Sequence, residues 1–141
     1  MLYDAVDDPS DRTPCELLAA YRRELSSVVD AIGIETVAAE SGVDRATLAA
    51  LRDDDPADLS VEEAAAILAT ADQYPGADAV VFELRDHLLM GMSSAVLDVD
   101  ALAGEIEADL TGQEVQQALE GRTRFTLEQL AEIQAAIERR K

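Results

Sequence analysis

His87 is the only histidine of the chain and Cys15 its only cysteine. A zinc site needs three or four such ligands, and acyl transfer needs a nucleophile with a base beside it. Neither set is present. Cys15 falls in the first turn of an expected helix, where the helix dipole lowers thiol pKa values. No base stands near it in sequence, so an inert thiol is expected. The run Asp53-Asp54-Asp55-Pro56-Ala57-Asp58 is rich in carboxylates. It lacks the alternating ligands, central Gly and terminal Glu of a calcium loop, and reads as a solvated loop. The sequence has no glycine-rich phosphate loop. These residues lead us to expect no catalysis, no metal and no cofactor. His87 is expected in a surface or partly buried structural role, and Met90 and Met92 as core fillers. The densest basic set is Arg122, Arg124, Arg139, Arg140 and Lys141.

The elements that must position these residues are helices. Phe82 to Leu97 is the most apolar run, with Leu84, Leu88, Met92, Ala95 and Val96 at the spacing of one helix face. Sliding the sequence by 67 positions lays Ser93-Ser94-Ala95-Val96 on Ser26-Ser27-Val28-Val29 and Leu88 on Tyr21. The chain reads as one helical unit written twice. In the first copy Thr13-Pro14-Cys15-Glu16 is a helix start with a capping box. The helix it opens buries Leu17, Leu18, Tyr21, Leu25, Val28 and Val29 and stops near Gly33. Short helices follow over 35–41 and 45–52, joined by Gly42, Val43 and a capping Asp44. Ser60 with Glu63 caps a helix from Val61 to about Gln73, and Tyr74-Pro75-Gly76 separates the copies.

The second copy repeats this order with a long helix over 78–97 and one over 99–107. Asp109 is expected to turn left-handed in place of Gly42, and a Thr111–Glu114 capping box opens a helix that ends at Gly121. At an offset of 66, Phe125, Thr126, Leu127 and Ile133 then match Leu59, Ser60, Val61 and Ile67. No segment alternates with period two, so no strand is expected. The small residues Ser26, Ser27, Gly91, Ser93 and Ser94 predict that the two long helices cross beside them. Residues 1–12 read as an acidic arm broken at Pro9, with Leu2 and Tyr3 packed on the body. The expected divisions are 1–12, 13–74 and 77–141.

The chain has 30 acidic and 11 basic residues, a formal charge of −19, yet 48% of its residues are hydrophobic. That hydrophobic share excludes a disordered acidic tail. Acid-rich, Lys-poor and Ala-rich composition suits a salt-loaded cell interior, where screening removes self-repulsion, and looks like that of a halophilic archaeon. The lone cysteine, the absence of a basic-then-apolar start and the lack of a long apolar run lead to the expectation of a cytoplasmic protein with no membrane contact.

Val37-Ala38-Ala39-Glu40-Ser41-Gly42-Val43-Asp44-Arg45-Ala46-Thr47-Leu48 resembles the repressor-like helix-turn-helix family of phage repressors and their bacterial relatives. That family's run reads Leu-Ala-x-x-x-Gly-Val-Ser-x-x-Thr-Ile. The counterpart in the second copy is Ala108-Asp109-Leu110-Thr111-Gly112-Gln113-Glu114-Val115. The resemblance covers residues 14–73 and 80–138. The whole chain also resembles a group of small haloarchaeal proteins with no assigned function. In the repressor-like family the second helix of the pair enters the major groove. The resemblance therefore implies that Arg45 and Thr47 in the first copy, and Gln113, Gln116 and Gln117 in the second, face bases. Gln pairs with adenine, and Arg122 and Arg124 are placed for phosphates. Asp53, Asp54 and Asp55 oppose DNA in the first copy; Glu114 and Glu120 count against it in the second.

The expected fold class is all-α, with two tandem four-helix units of this kind related by duplication. Two functions follow as expectations. One is a DNA-associated regulatory protein that contacts DNA mainly through its second unit. The other is a non-catalytic helical module that binds a protein partner. The sequence leaves the oligomeric state open.

Overall fold

The computed structural model describes residues 2–5, 12–55, 58–107 and 109–141. The expected break at Pro9, Pro56 and Ala57 of the acidic loop, and Ala108 of the second turn lie outside the described residues. Among the described residues the protein is all-helical. A 3-10 turn at Leu2–Asp4 precedes α1 (Pro14–Ile32), α2 (Ile34–Ser41), α3 (Arg45–Arg52), α4 (Val61–Leu68), α5 (Ala77–Ala95), α6 (Val99–Glu105), α7 (Gly112–Leu119) and α8 (Leu127–Arg140).

Local chemistry sets most helix starts. Thr13, Ser60, Thr111 and Thr126 each accept from the backbone N–H three residues on. Glu16, Glu63, Glu114 and Gln129 accept in return from the capping residue's N–H. Each such box satisfies two backbone donors that the first helical turn leaves without partners. Asp98 caps α6 by accepting from the Ala101 N–H. Asp44 occupies the capping position of α3, but its side chain makes no capping bond.

The turn between α2 and α3 is the expected one. Gly42 has φ 76°, and Val43 behind it is buried. Helix α6 ends at Glu105, short of the expected Glu107. Asp54 (φ 59°) and Val96 (φ 55°) adopt positive φ, and the expected left-handed turn at Asp109 includes the Ala108 peptide, which lies outside the described residues. Helix α4 also ends earlier than its apolar pattern implies. The backbone N–H of Thr70 bonds the carbonyl of Ile67, and that of Ala71 bonds Leu68. These tighter bonds replace the α-helical ladder.

The buried residues form one cluster drawn from both halves of the chain. Helix α1 packs on α3, α4 and α8, and α5 packs on α4 and α8. Helix α2 lies on α3 and α4, and α6 on α7 and α8. Where the halves meet, the Val61 N–H donates to the Phe125 carbonyl at 2.7 Å and the Leu127 N–H to the Leu59 carbonyl at 3.0 Å. This isolated antiparallel bridge joins Ser60 to Thr126, the two capping residues that the sequence alignment pairs. The matched apolar neighbours Leu59, Val61, Ile67, Phe125, Leu127 and Ile133 are all buried.

The alignment of the long helices needs correction. Val29 is 1% exposed, but Val96, its partner at an offset of 67, is 89% exposed. The buried faces coincide at an offset of 63. Leu17, Tyr21, Leu25, Val28 and Val29 then correspond to Val80, Leu84, Leu88, Gly91 and Met92, and all ten are buried. The shared Ser-Ser-x-Val is one helical turn out of register. Met92 is core, as expected, but Met90 is 63% exposed because it falls outside this face.

The expected crossing at the serines fails for the same reason. Ser27, Ser93 and Ser94 are exposed. The close approach is made instead by Gly91 to α8, where a Cβ would stand 2.8 Å from Cγ2 of Ile137. Replacing Gly91 by Leu should therefore overpack the α5–α8 contact and cost about 1–3 kcal/mol. Replacing Ser94 by Leu should change stability by no more than about 0.5 kcal/mol. Urea denaturation of the two variants checks this, and the reverse ranking would refute the register.

Candidate nucleic-acid interface

Helix α7 carries Gln113, Gln116 and Gln117, spaced so that i, i+3 and i+4 share a face. It is held by its capping box and by buried Val115, Ala118 and Leu119. Its C-terminal end closes through the Arg122 N–H bonding the Gln117 carbonyl at 2.9 Å, with Gly121 at φ 79°. The φ of Gly121 disfavours a side chain, and a Cβ there would displace the Arg85 guanidinium, whose Cζ would lie at 2.7 Å.

The result brings four expected site residues together. Gln113, Gln116, Gln117 and Arg122 line a shallow hollow of about 190 Å³, with Glu120 as a fifth wall. The electrostatics within it are mixed. The amide of Gln116 donates to Glu120 at 2.9 Å, and Arg122 pairs with the same carboxylate at 3.0 Å. Glu120 thus occupies donors that a base edge or a phosphate would otherwise take.

The remaining candidates stand elsewhere. Arg124 reaches into the first half and pairs with Asp58 at 3.2 Å and Glu63 at 3.4 Å. Arg45 pairs with Glu35 of α2, and Thr47 is half-buried on α3. Arg140 bonds Glu105 of α6, and Lys141 pairs with Glu138 at 3.1 Å. Arg139 lines a different groove, with Cys15, Glu105 and Glu132 among its neighbours. Apart from Lys141–Glu138, whose carboxylate side chain is 9% exposed, these pairs lie at the surface and contribute little to stability. Their consequence is positional, because they divide the C-terminal basic set among different surfaces.

A model of a family of unknown function, DUF5791, matches residues 17–140. The chain belongs to this family. Neither a curated protein nor a solved structure matches it. For this member of DUF5791, the geometry of its own side chains therefore carries the functional argument.

Several arrangements in the DUF5791 chain left no signal in sequence. The hydroxyl of Tyr21 donates to the side chain of Gln134, whose amide donates to the Tyr3 carbonyl at 2.9 Å. Burial pushes the Tyr21 phenol well above its usual range, and nearby Glu138 adds to the shift. Tyr3 stacks on His87 with ring centroids 4.1 Å apart, which gives the lone histidine its structural role. Burial is the main cause that lowers the His87 pKa, with Lys141 adding to it. Burial also raises the Tyr74 phenol to about 12, helped by its hydrogen bond to Glu24. No group of three or more potential metal ligands occurs among the described residues. Nor is any helix among them long and apolar enough to cross a membrane.

The outer surface of α5 is the other feature that the sequence concealed. Phe82, Leu89, Met90 and Val96 are exposed, although Met90 was expected as a core filler and Val96 on the apolar helix face.

Proposed function

We propose that this protein is a non-catalytic helical interaction module that binds another protein. The observation carrying this reading is the outer face of α5, where Phe82 is 70% and Met90 63% exposed in a chain of charge −19. Large apolar side chains grouped on a polar surface mark contact sites. The placement of the cations agrees. Arg45, Arg122, Arg124 and Arg140 each lie beside a carboxylate.

A DNA-associated regulator is the second reading, favoured by the meeting of Gln113, Gln116, Gln117 and Arg122 around one hollow. Under that reading Gln117 reads a base while Arg122 and Arg124 hold phosphates. Both readings take the halves as duplicated helix-turn-helix units of repressor-like descent. What supports this is the reciprocal Ser60–Thr126 bridge and the positive φ shared by Asp54 and Gly121 at an offset of 67. Both also take the protein as working in the salt-rich cytoplasm of a halophile, on the strength of its composition.

Fluorescence anisotropy with genomic DNA fragments across about 0.5–3 M KCl, where screening is strong, separates the two. The module reading expects no binding anywhere in that range. Binding that weakens for every sequence in the Arg122→Ala, Arg124→Ala variant would replace it with the regulator. Loss of preference at one base pair in Gln117→Ala, at a cost of about 1–3 kcal/mol, would then locate the reading helix.

A further inference from the structure

We infer that the outer face of α5 docks a basic amphipathic helix of a partner protein, a proposal that rests on the interaction-module reading. Phe82, Leu89 and Met90 stand at i, i+7 and i+8, and Val96 follows at the helix end. From Phe82 to Met90 the stripe is roughly 12 Å long, at 1.5 Å per residue, and Val96 caps the helix in a left-handed conformation.

The chain contains its own control for this face. Helices α1 and α5 have the same length and bury matching positions at an offset of 63. In α1 the places of Phe82, Leu89, Met90 and Val96 are held by Ala19, Ser26, Ser27 and Gly33. A long helix in this fold packs without large apolar residues on that side. The four on α5 are therefore not explained by the protein's own core.

The surroundings of the stripe specify the chemistry of its occupant. Asp78, Glu83 and Asp86 are exposed on the same helix, and Asp98 follows Val96. Beside Phe82 lies an open hollow of about 380 Å³, with Ala77, Val81 and Phe82 as apolar walls and Glu62 and Asp78 as acidic ones. Arg85, which also lines it, is turned toward Glu62 at 3.8 Å and lies over Gly121. An apolar stripe with carboxylates along it is complementary to a helix with an apolar face flanked by Lys and Arg. At low ionic strength a second copy of this chain would bring like charges together instead.

The test uses the full chain and a labelled, synthetic 18-residue helical peptide with a leucine stripe and flanking arginines; a matched peptide carries glutamates in place of the arginines. The parent protein should bind the basic peptide and not the acidic one. Leu89→Gln with Met90→Gln should weaken binding at least about tenfold, as should Phe82→Ser. Ala19→Gln with Ser27→Gln, on the exposed side of α1, should leave it unchanged. All these positions face solvent, and circular dichroism confirms that each variant is folded. Equal binding by the parent and the Leu89→Gln, Met90→Gln variant overturns the proposal. So does a dimer of the parent in sedimentation that the same variant abolishes, although that result leaves the module reading intact. The DNA titration judges that reading separately, because it does not involve α5.

Discussion

Gln134→Leu should destabilise the protein by about 1–3 kcal/mol, the penalty for leaving a buried polar group without its partner. Tyr21 is fully buried, and Gln134 is 1% exposed. The phenol donates to the Gln134 side chain and has no route to water once that acceptor is gone. The Tyr3 carbonyl loses its 2.9 Å bond at the same time, which loosens the N-terminal turn that buries Leu2. Tyr21→Phe should cost a similar amount by stranding the Gln134 oxygen. The double variant Tyr21→Phe, Gln134→Leu should recover a large part of the loss, because replacing both partners with apolar groups leaves no orphan between them. Urea denaturation of the four proteins closes the cycle. Strict additivity of the two single effects would show that the pair does not act as a unit.

The second large effect is that of salt. The chain carries 30 carboxylate side chains against 11 cations. Some are neutralised locally, for example by Arg124 between Asp58 and Glu63. Asp53, Asp54 and Asp55 are exposed and adjacent at the end of α3, and the excess elsewhere repels itself. Raising ionic strength from about 0.1 to 1 M shortens the screening length from roughly 10 to 3 Å. Screening also weakens the favourable ion pairs, but exposed pairs contribute only about 0–1 kcal/mol each, so relief of the net repulsion should dominate. The melting temperature should rise by at least about 5 °C between dilute buffer and 1 M KCl, the shift that roughly 2 kcal/mol produces in a chain of this size. A melting temperature that is unchanged or falls would mean that the charge is already balanced by local pairing. It would also remove the argument from composition for a salt-rich cell interior.

The sequence by itself determined what depends on a few neighbouring residues. Thr13 with Glu16, Ser60 with Glu63, Thr111 with Glu114 and Thr126 with Gln129 form their boxes within four residues. Gly42 takes its left-handed turn for an equally local reason. The all-helical class follows from such starts combined with one-face apolar spacing. The shared face of Gln113, Gln116 and Gln117 was legible too, since helical periodicity alone sets it.

Tertiary structure decided the rest, because it depends on which surfaces meet. The α5 run is apolar on two sides, so periodicity could not select the buried one. Packing on α4 and α8 chose Val80, Leu84, Leu88, Gly91 and Met92. That choice left Met90 and Val96 outside and moved the alignment of the long helices by a turn. Asp54 adopts positive φ although its residue type does not demand it. Arg124 and Arg45 took carboxylate partners from other segments. The Tyr21–Gln134 bond spans 113 positions of chain. No local pattern encodes a pairing at that distance; it exists because α1 and α8 pack face to face in one core.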